Sequence, residues 1–156
     1  ISLIVRLLRP ESQGSVMARS ADPYEAPAIR PNFLHAVRDG ETIARGCQMS
    51  REIAGARPLA DFIESEHIPG EAVVSDADML EYLRHNGAPS FPPVGTCRMG
   101  PDERAVVDAR LRVRGFEGLR VADASIMPKI VSGNTNAPTI MIGEKASAMI
   151  LEDARG

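Results

Sequence analysis

Residues 132–146 read SGNTNAPTIMIGEKA, a polar loop that leads directly into an apolar, helix-forming run. Pro138 suits the first turn of a helix, because the N–H that it lacks has no intrahelical acceptor there. The apolar spacing predicts a helix to about Glu152, with an inner face formed by Ile142, Ala146, Met149 and Ile150. Such a helix start favours a negatively charged group. A plain capping loop has the same appearance, so this stretch alone leaves a structural role open.

Two blocks upstream give this stretch its context. Residues 92–100 read PPVGTCRMG, whose prolines and glycines predict a constrained loop. Residues 119–128 read LRVADASIMP, which predicts a short strand ending at Asp123, and this aspartate is expected to cap the next turn. Residues 111–114, LRVR, alternate as another short strand, with glycines marking the turn between the two strands.

The first ninety residues predict short strands followed by helices. The strands are expected at residues 16–19 and, as an edge strand interrupted by Pro31, at residues 29–34. Apolar residues spaced three and four apart predict a helix from Asp39 to about Ala56, with another turn or two at residues 59–63. A second helix begins after Ser75 as its N-cap and ends at Asn86-Gly87. The order of elements lacks regular βαβ alternation, so it predicts an α+β fold with an antiparallel or mixed sheet flanked by helices.

Composition excludes several classes of function. The chain has 156 residues, a net charge of −3 and scattered basic residues, so no nucleic-acid-binding surface is predicted. Its apolar stretches are too short to span a bilayer. The two cysteines, Cys47 and Cys97, indicate neither a disulfide framework nor a metal site, and a reducing cytoplasm is the default location. The chain opens on Ile1 and not on Met, which is compatible with removal of a preceding segment, a targeting segment included.

In this order and spacing, the three blocks resemble the C-terminal signature of the glucose–methanol–choline (GMC) oxidoreductases, close to the choline-dehydrogenase-like branch. The resemblance extends over nearly the whole chain, and residues 9–15 and 20–23 match the start of the same region. It implies a fold like that of FAD-linked reductase C-terminal domains. The family's N-terminal Rossmann-like domain holds FAD through a G-x-G-x-x-G loop, and that pattern does not occur here. The implied division is a substrate-binding domain at residues 1–118, with residues 119–156 as the strand and helix that complete the FAD domain.

The resemblance also implies roles for individual residues. Asp123 and Ala124 match the positions that meet the FAD pyrophosphate and ribityl chain. The positions along the flavin ring correspond to Asn136, Ala137, Pro138 and Thr139. Asn134 matches the second active-site position, which hydrogen-bonds the substrate hydroxyl. The family's motif H-P-V-G-T supplies the general base from its His, but Pro92 stands at that position here and has no titratable group.

The main hypothesis is therefore the substrate-binding part of an FAD-dependent oxidoreductase that converts a primary alcohol to an aldehyde, inactive by itself. Its implied partners are the alcohol, the missing FAD domain and further copies of the chain, because apolar faces meant for that domain would be exposed. The alternatives are a catalytically silent binding module and a gene or proteolytic fragment without a separate role. Among the remaining side chains, we expect His85 to be a solvated helix-end residue, Phe91 to line a substrate pocket, and Arg112, Arg114 and Arg120 to lie on solvated strand faces.

Overall fold

The computed structural model describes residues 1–155. Its regular elements, in chain order, are the strands β1 (Ser15–Met17) and β2 (Ala28–Arg30) and the helices α1 (Val37–Ala54), α2 (Asp76–Asn86) and α3 (Asn136–Asp153). Short 3₁₀ helices occur at Leu59–Phe62 and Ala124–Ile126. Strands β1 and β2 form an antiparallel two-stranded sheet in which Val16 is paired with Ile29. This architecture confirms the predicted α+β class.

Internal contacts divide the chain into two units, residues 1–90 and residues 91–156. The first contains the sheet, α1 and α2, and the second contains α3 and the three sequence blocks. The boundary predicted after residue 118 concerns which segment completes a domain of a longer protein, and it stays a prediction.

In the first unit, helix α1 packs against α2. Gly40 and Ala44 are buried on α1, and a Cβ at Gly40 would lie 2.8 Å from the Leu80 side chain, so the absence of a side chain lets the helices approach closely. Met79 on α2 is 1% exposed. Both predicted helices are confirmed within about two residues at their ends, the usual uncertainty of helix boundaries.

The start of α1 is stabilised by residues distant in sequence. Its N-cap residue, Ala36, has no capping side chain, but its backbone N–H donates to the Ser12 hydroxyl at 3.0 Å. The buried Asp39 carboxylate accepts the backbone N–H groups of Glu11, at 2.9 Å, and Ser12, at 2.8 Å. These bonds hold the N-terminal segment against the first turn of α1.

Two strand predictions need correction. The strand predicted at residues 29–34 ends at Arg30, because Asn32 and Leu34 have φ values of 55° and 54°, which interrupt extended backbone. Residues 111–114 and 119–122 are paired but form only isolated bridges, of which Arg112 with Arg120 is one. Leu111 has φ of 64°, so the extended run is too short to be a regular strand.

Candidate functional site

One apolar core gathers the three sequence blocks in the second unit. The core joins residues 107–111, the 3₁₀ helix at residues 124–126 and the inner face of α3. Residues of the loop at 92–100 pack against it. Its buried members are Val107, Leu111, Ile126, Met127, Ile142 and Ala146, and half-buried Val94, Met99, Val106, Val113, Val121, Ala124 and Met149 pack against them. The blocks that the sequence singled out therefore share one packing unit.

Backbone hydrogen bonds attach the loop at residues 92–100 to the 3₁₀ helix at residues 124–126. The Cys97 N–H donates to the Ser125 carbonyl at 3.0 Å, and the Met99 N–H donates to the Ile126 carbonyl at 2.8 Å. Gly95 has φ of 91°, and a Cβ there would lie 3.4 Å from the Met127 carbonyl oxygen. The left-handed conformation needs glycine, so the loop can turn at this point and run beside the 3₁₀ helix.

Asp123 caps that 3₁₀ helix, as the sequence predicted. Its Oδ1 accepts the Ser125 N–H at 2.7 Å. The Asp123 side chain is solvent-exposed, whereas Ala124 is half buried against the core. The two residues thus stand at the outer surface of the core, where a bound molecule can reach them.

The start of α3 lacks the side-chain cap and the acidic first-turn residues that the start of α2 has. Thr135 is the N-cap of α3, but its side chain makes no capping hydrogen bond, and the first turn carries no acidic residue. Asn136 and Ala137 are exposed, and Pro138 and Thr139 are half buried. Asn134, directly before the N-cap, is also exposed. This helix terminus keeps its positive dipole end without a carboxylate of its own to offset it.

Pro92 and Asn134 come from separate segments that both lead into the core. Pro92 is half buried, two residues before Val94, which packs against the core. Proline cannot accept or deliver a proton, so its side chain can contribute to the shape of a site but not to acid–base catalysis. Within residues 1–155, no group of His, Cys, Asp or Glu side chains is arranged to hold a metal ion.

The structure corrects two expectations about side chains. Arg120 is not solvated, since its side chain is 19% exposed and is paired with Asp153. Phe91 is 83% exposed in this chain, and its place in a substrate pocket stays a prediction. Ile150 is 46% exposed and lies off the inner face of α3.

The other expectations for polar and charged side chains are confirmed. His85 is 70% exposed near the end of α2, and its Nδ1 lies 3.0 Å from the Glu81 carbonyl oxygen, which accepts when that nitrogen is protonated, so the prediction of a solvated helix-end residue is confirmed. Arg112 and Arg114 are exposed as predicted, with Arg112 paired to Asp108 at 2.9 Å and Arg114 bonded to the Gly100 carbonyl at 2.8 Å.

Sequence reasoning missed an ionic cluster at the C-terminal end of α3. Arg110 donates to Asp153 at 2.6 Å, to Glu152 at 3.1 Å and to the Met149 carbonyl at 3.1 Å. Arg120 also donates to Asp153. The available signal was a pair of carboxylates at a helix C-terminus, where the dipole disfavours negative charge and a cationic partner is expected.

Comparison with known proteins places these blocks in a family. The sequence profile described as GMC oxidoreductase matches residues 10–143. The chain belongs to the GMC oxidoreductase family. It is 45% identical to an alcohol dehydrogenase [acceptor] from Pseudomonas putida over 92% of its length, which is 26% of that protein. It is equally 45% identical to an oxygen-dependent choline dehydrogenase from Escherichia coli, over 92% of this chain and 25% of that one.

Solved structures agree with this assignment. A formate oxidase variant from Aspergillus oryzae RIB40, studied for the effect of a mutation on FAD modification, superimposes with a TM-score of 0.90 at 32% identity. That match covers 96% of this chain and 26% of the oxidase. Pyridoxine 4-oxidase from Mesorbium loti gives a TM-score of 0.84 at 36% identity, with 90% of this chain and 28% of that chain covered. The GMC chain described here therefore spans about a quarter of the length of its relatives.

The matched region is the C-terminal part of the GMC oxidoreductases, as the sequence blocks predicted. An FAD-dependent oxidoreductase from Chaetomium thermophilum is among the structural relatives, at 30% identity and a TM-score of 0.87. The start of α3 is compatible with a group that gains negative charge, as reduced flavin does. Its first turn contains no carboxylate, and its N-cap makes no side-chain hydrogen bond. No helix within residues 1–155 is long and apolar enough to cross a membrane.

Proposed function

We propose that this GMC chain is the substrate-binding part of an FAD-dependent oxidoreductase that converts a primary alcohol to an aldehyde. The observation that carries the proposal is the 45% identity, over 92% of the chain, to an alcohol dehydrogenase [acceptor] and to a choline dehydrogenase. In this reaction the carbinol carbon loses a hydride, which FAD accepts, and the hydroxyl loses a proton. The chain's own residues bind and orient the alcohol and provide the surroundings of the flavin.

The proposed cofactor contacts lie on two elements of the same core. Asp123 and Ala124 meet the pyrophosphate and ribityl chain, which is compatible with the exposed position of the aspartate at the end of the core. Residues 136–139 lie along the pyrimidine edge of the flavin. Reduced flavin gains negative charge at this edge, and the positive end of α3 stabilises it electrostatically. The absence of an acidic residue in the first turn of α3 supports this placement, because a carboxylate there would oppose it.

Asn134 and Pro92 are the proposed substrate-facing positions. The Asn134 amide hydrogen-bonds the substrate hydroxyl but cannot accept its proton at neutral pH. Pro92 occupies the position at which the family's motif supplies a histidine base. The proton must therefore pass to water, and the reaction is slow compared with that of a relative that has the histidine.

The proposal includes a partner, an FAD-binding part that these 156 residues do not provide. Residues 1–118 serve the substrate, and residues 119–156 complete the partner's fold. In isolation the chain is inactive and binds FAD weakly or not at all. The two free thiols, Cys47 and Cys97, support a reducing compartment such as the cytoplasm.

The test joins the chain to an FAD-binding part. In a chimera, this sequence replaces the matching part of the Pseudomonas putida alcohol dehydrogenase, to which it is 45% identical. We expect the isolated chain to purify colourless and the chimera to purify yellow, with a flavin absorbance that a primary alcohol bleaches slowly under anaerobic conditions. Asn134→Ala should slow bleaching without loss of FAD. A yellow isolated chain with stoichiometric FAD after gel filtration would contradict the proposal.

A catalytically silent binding module is the second candidate, and Pro92 is the observation that favours it. A chain that only binds an alcohol needs no base, so a proline at the base position carries no penalty. The same chimera separates the two functions. If it binds FAD and a panel of primary alcohols leaves the flavin oxidised, even after Pro92→His, the binding module is the better description.

A further inference from the structure

The ionic cluster at the end of α3 joins two segments that are far apart in sequence. The Arg110 Nη2 donates to Oδ1 of Asp153, 43 positions away in sequence, at 2.6 Å. Arg120 bonds Asp153 through Nη2 and the Arg110 carbonyl through Nε, the latter at 3.2 Å. The Arg120 side chain is the most buried of the three, with an exposed fraction of 19%, and Arg110 and Asp153 are partly exposed, at 35% and 39%. We call these three residues the arginine clasp.

Apolar burial alone does not fix the rotation of α3. Its buried stripe consists of Ile142 and Ala146, with Met149 half buried, and Ala146 contributes little volume. Other faces of the same helix are equally apolar and remain exposed, including Ile140 (59%), Met141 (50%) and Leu151 (53%). A turn of the helix about its axis would exchange one apolar stripe for another, so hydrophobic burial selects weakly among positions of α3.

The arginine clasp distinguishes between rotations of α3 that apolar packing tolerates equally. Asp153 lies at the C-terminal end of α3, where the helix dipole disfavours a carboxylate unless cations face it. Both arginines meet it there, and Arg110 also bonds the Met149 carbonyl. A rotated or shifted helix would break both ion pairs of Asp153 and the bond to the Met149 carbonyl, and Arg120, which is mostly buried, would lose its carboxylate partner. The clasp therefore penalises positions of α3 that apolar packing would tolerate.

The clasp also connects α3 to the second block. Arg120 stands three residues before Asp123, which caps the 3₁₀ helix at residues 124–126. That 3₁₀ helix in turn bonds the loop at residues 97–99. One set of contacts thus relates the C-terminal end of α3 to the segments that carry the other proposed site residues. Because α3 rises about 1.5 Å per residue, its two ends are about 25 Å apart, and a rotation of the rigid helix about its axis turns both ends together.

We propose that Arg110, Arg120 and Asp153 are positioning residues that set the place of the α3 N-terminus beside the flavin. The inference rests on the proposed function, since it assumes that this terminus faces the flavin. The residues do not touch the flavin or the alcohol. They act through α3, by holding its positive end where reduced flavin develops negative charge.

The experiment measures the midpoint potential of FAD in the chimera. Asp153→Asn and, separately, Arg120→Lys should lower the equilibrium constant of flavin reduction about five- to tenfold, which is about 20–30 mV for a two-electron couple. Asp153→Glu keeps the charge and should restore part of the potential. The matched control is Arg112→Lys. Arg112 pairs with Asp108, and within residues 1–155 its side-chain hydrogen bonds and ion pairs do not involve α3. Circular dichroism and FAD stoichiometry verify that each variant is folded.

A further variant separates this inference from the function on which it rests. Thr135→Asp places a carboxylate at the α3 N-terminus and should lower the potential or weaken FAD binding if that end faces the flavin. If Thr135→Asp acts and folded clasp variants keep the wild-type potential, the positioning role is wrong and the proposed function stands. A lower melting temperature with an unchanged potential also counts against positioning, because it indicates a structural role alone. If Thr135→Asp has no effect, the flavin placement fails and the inference fails with it.

Discussion

At the scale of single residues, Pro92 is the position on which the proposed chemistry depends most. It is half buried in a loop that Gly95 turns and that bonds the 3₁₀ helix, so its backbone is held in place. A histidine there would add an imidazole with an ordinary pKa of about 6.5, able to accept a proton at neutral pH. The family's motif places histidine before the same Pro-Val-Gly-Thr turn, so the backbone should accept the change.

We predict that Pro92→His in the chimera raises the rate of flavin reduction by a primary alcohol about 100-fold or more, the range of a positioned acid–base group. The rate should increase with pH as the imidazole loses its proton. Anaerobic stopped-flow absorbance measures both effects. Pro92→Gln is the matched control, since it introduces a polar side chain without a titratable group. Equal rates in the proline and histidine forms would show that another group takes the proton.

Asp39 is a residue whose ionisation contributes to the stability of the fold. Burial works to raise the pKa of its carboxyl, but hydrogen bonds from the Ser12 hydroxyl and from the Glu11 and Ser12 backbone N–H groups outweigh it, and the pKa lies below the usual 3.8. A lowered pKa in the folded state means that the stabilisation is complete above the unfolded-state pKa and is lost as pH falls through the folded-state pKa.

Asp39→Asn should lower the free energy of unfolding by about 2 kcal/mol at neutral pH, because charged acceptor bonds are lost and an amide N–H₂ faces N–H donors. The difference from the wild type should be constant above about pH 5 and shrink as the pH falls below about 4. Urea unfolding at a series of pH values measures it. Asp61→Asn, which alters only an exposed pair with Arg57, is the control. A difference that does not depend on pH would contradict the assigned role of the carboxylate.

At the scale of elements, the helices show which starts can be predicted locally. Helix α2 begins with a capping box, in which the Ser75 hydroxyl accepts the Asp78 N–H at 3.1 Å and the Asp78 carboxylate accepts the Ser75 N–H at 3.0 Å. Both partners lie within four residues, so the sequence alone predicted this start. At the start of helix α1, the Ala36 N–H donates instead to Ser12, 24 residues away, and no local pattern reveals that bond.

Ser75→Ala should therefore destabilise the first unit by about 1 kcal/mol, the usual effect of losing an N-cap side chain. Ser75→Gly should cost only a few tenths of that, ~0.3 kcal/mol, because glycine is tolerated at this position. Thermal unfolding followed by circular dichroism measures both. Ser147→Ala, at an exposed position within α3, is the matched control and should be neutral or slightly stabilising. If Ser75→Ala matches that control, the capping box does not contribute to stability.

At the scale of the whole molecule, helix α3 leaves several large apolar side chains exposed. Ile140, Met141 and Leu151 are all at least half exposed, and Leu119 is 49% exposed. Several large apolar side chains exposed on one helix mark it as a candidate interaction surface. The relatives are about four times as long as this chain, so in the proposed function the FAD-binding part covers that surface.

Without that partner, we predict that the isolated chain self-associates through α3. Sedimentation velocity at increasing protein concentration should show a growing fraction of dimers or larger species. Leu151→Glu should reduce the association, whereas Ala148→Glu, which adds the same charge at an exposed residue without removing a large apolar group, should have a smaller effect. A monodisperse monomer with an ordered α3 at all concentrations would refute the prediction.

The sequence by itself determined the family, the α+β class and the positions of all three helices. These depend on motif order and on patterns read within a few residues, such as the Ser75 cap, the Asp123 cap and the proline in the first turn of α3. The two hairpin segments at residues 111–114 and 119–122 were predicted as strands, but Leu111 takes a left-handed conformation that no local alternation reveals.

The sequence correctly predicted Ile142, Ala146 and Met149 on the inner face of α3, and only the tertiary structure decided where that face ends and which charges meet. The sequence placed Ile150 inside, but it is 46% exposed. It placed Arg120 in solvent, but Arg120 is paired with Asp153, 33 positions away. The anchoring of Asp39 to Glu11 likewise joins residues 28 positions apart. Local propensity carries no information on such pairs, since their free energy depends on distances that exist only after the core has formed.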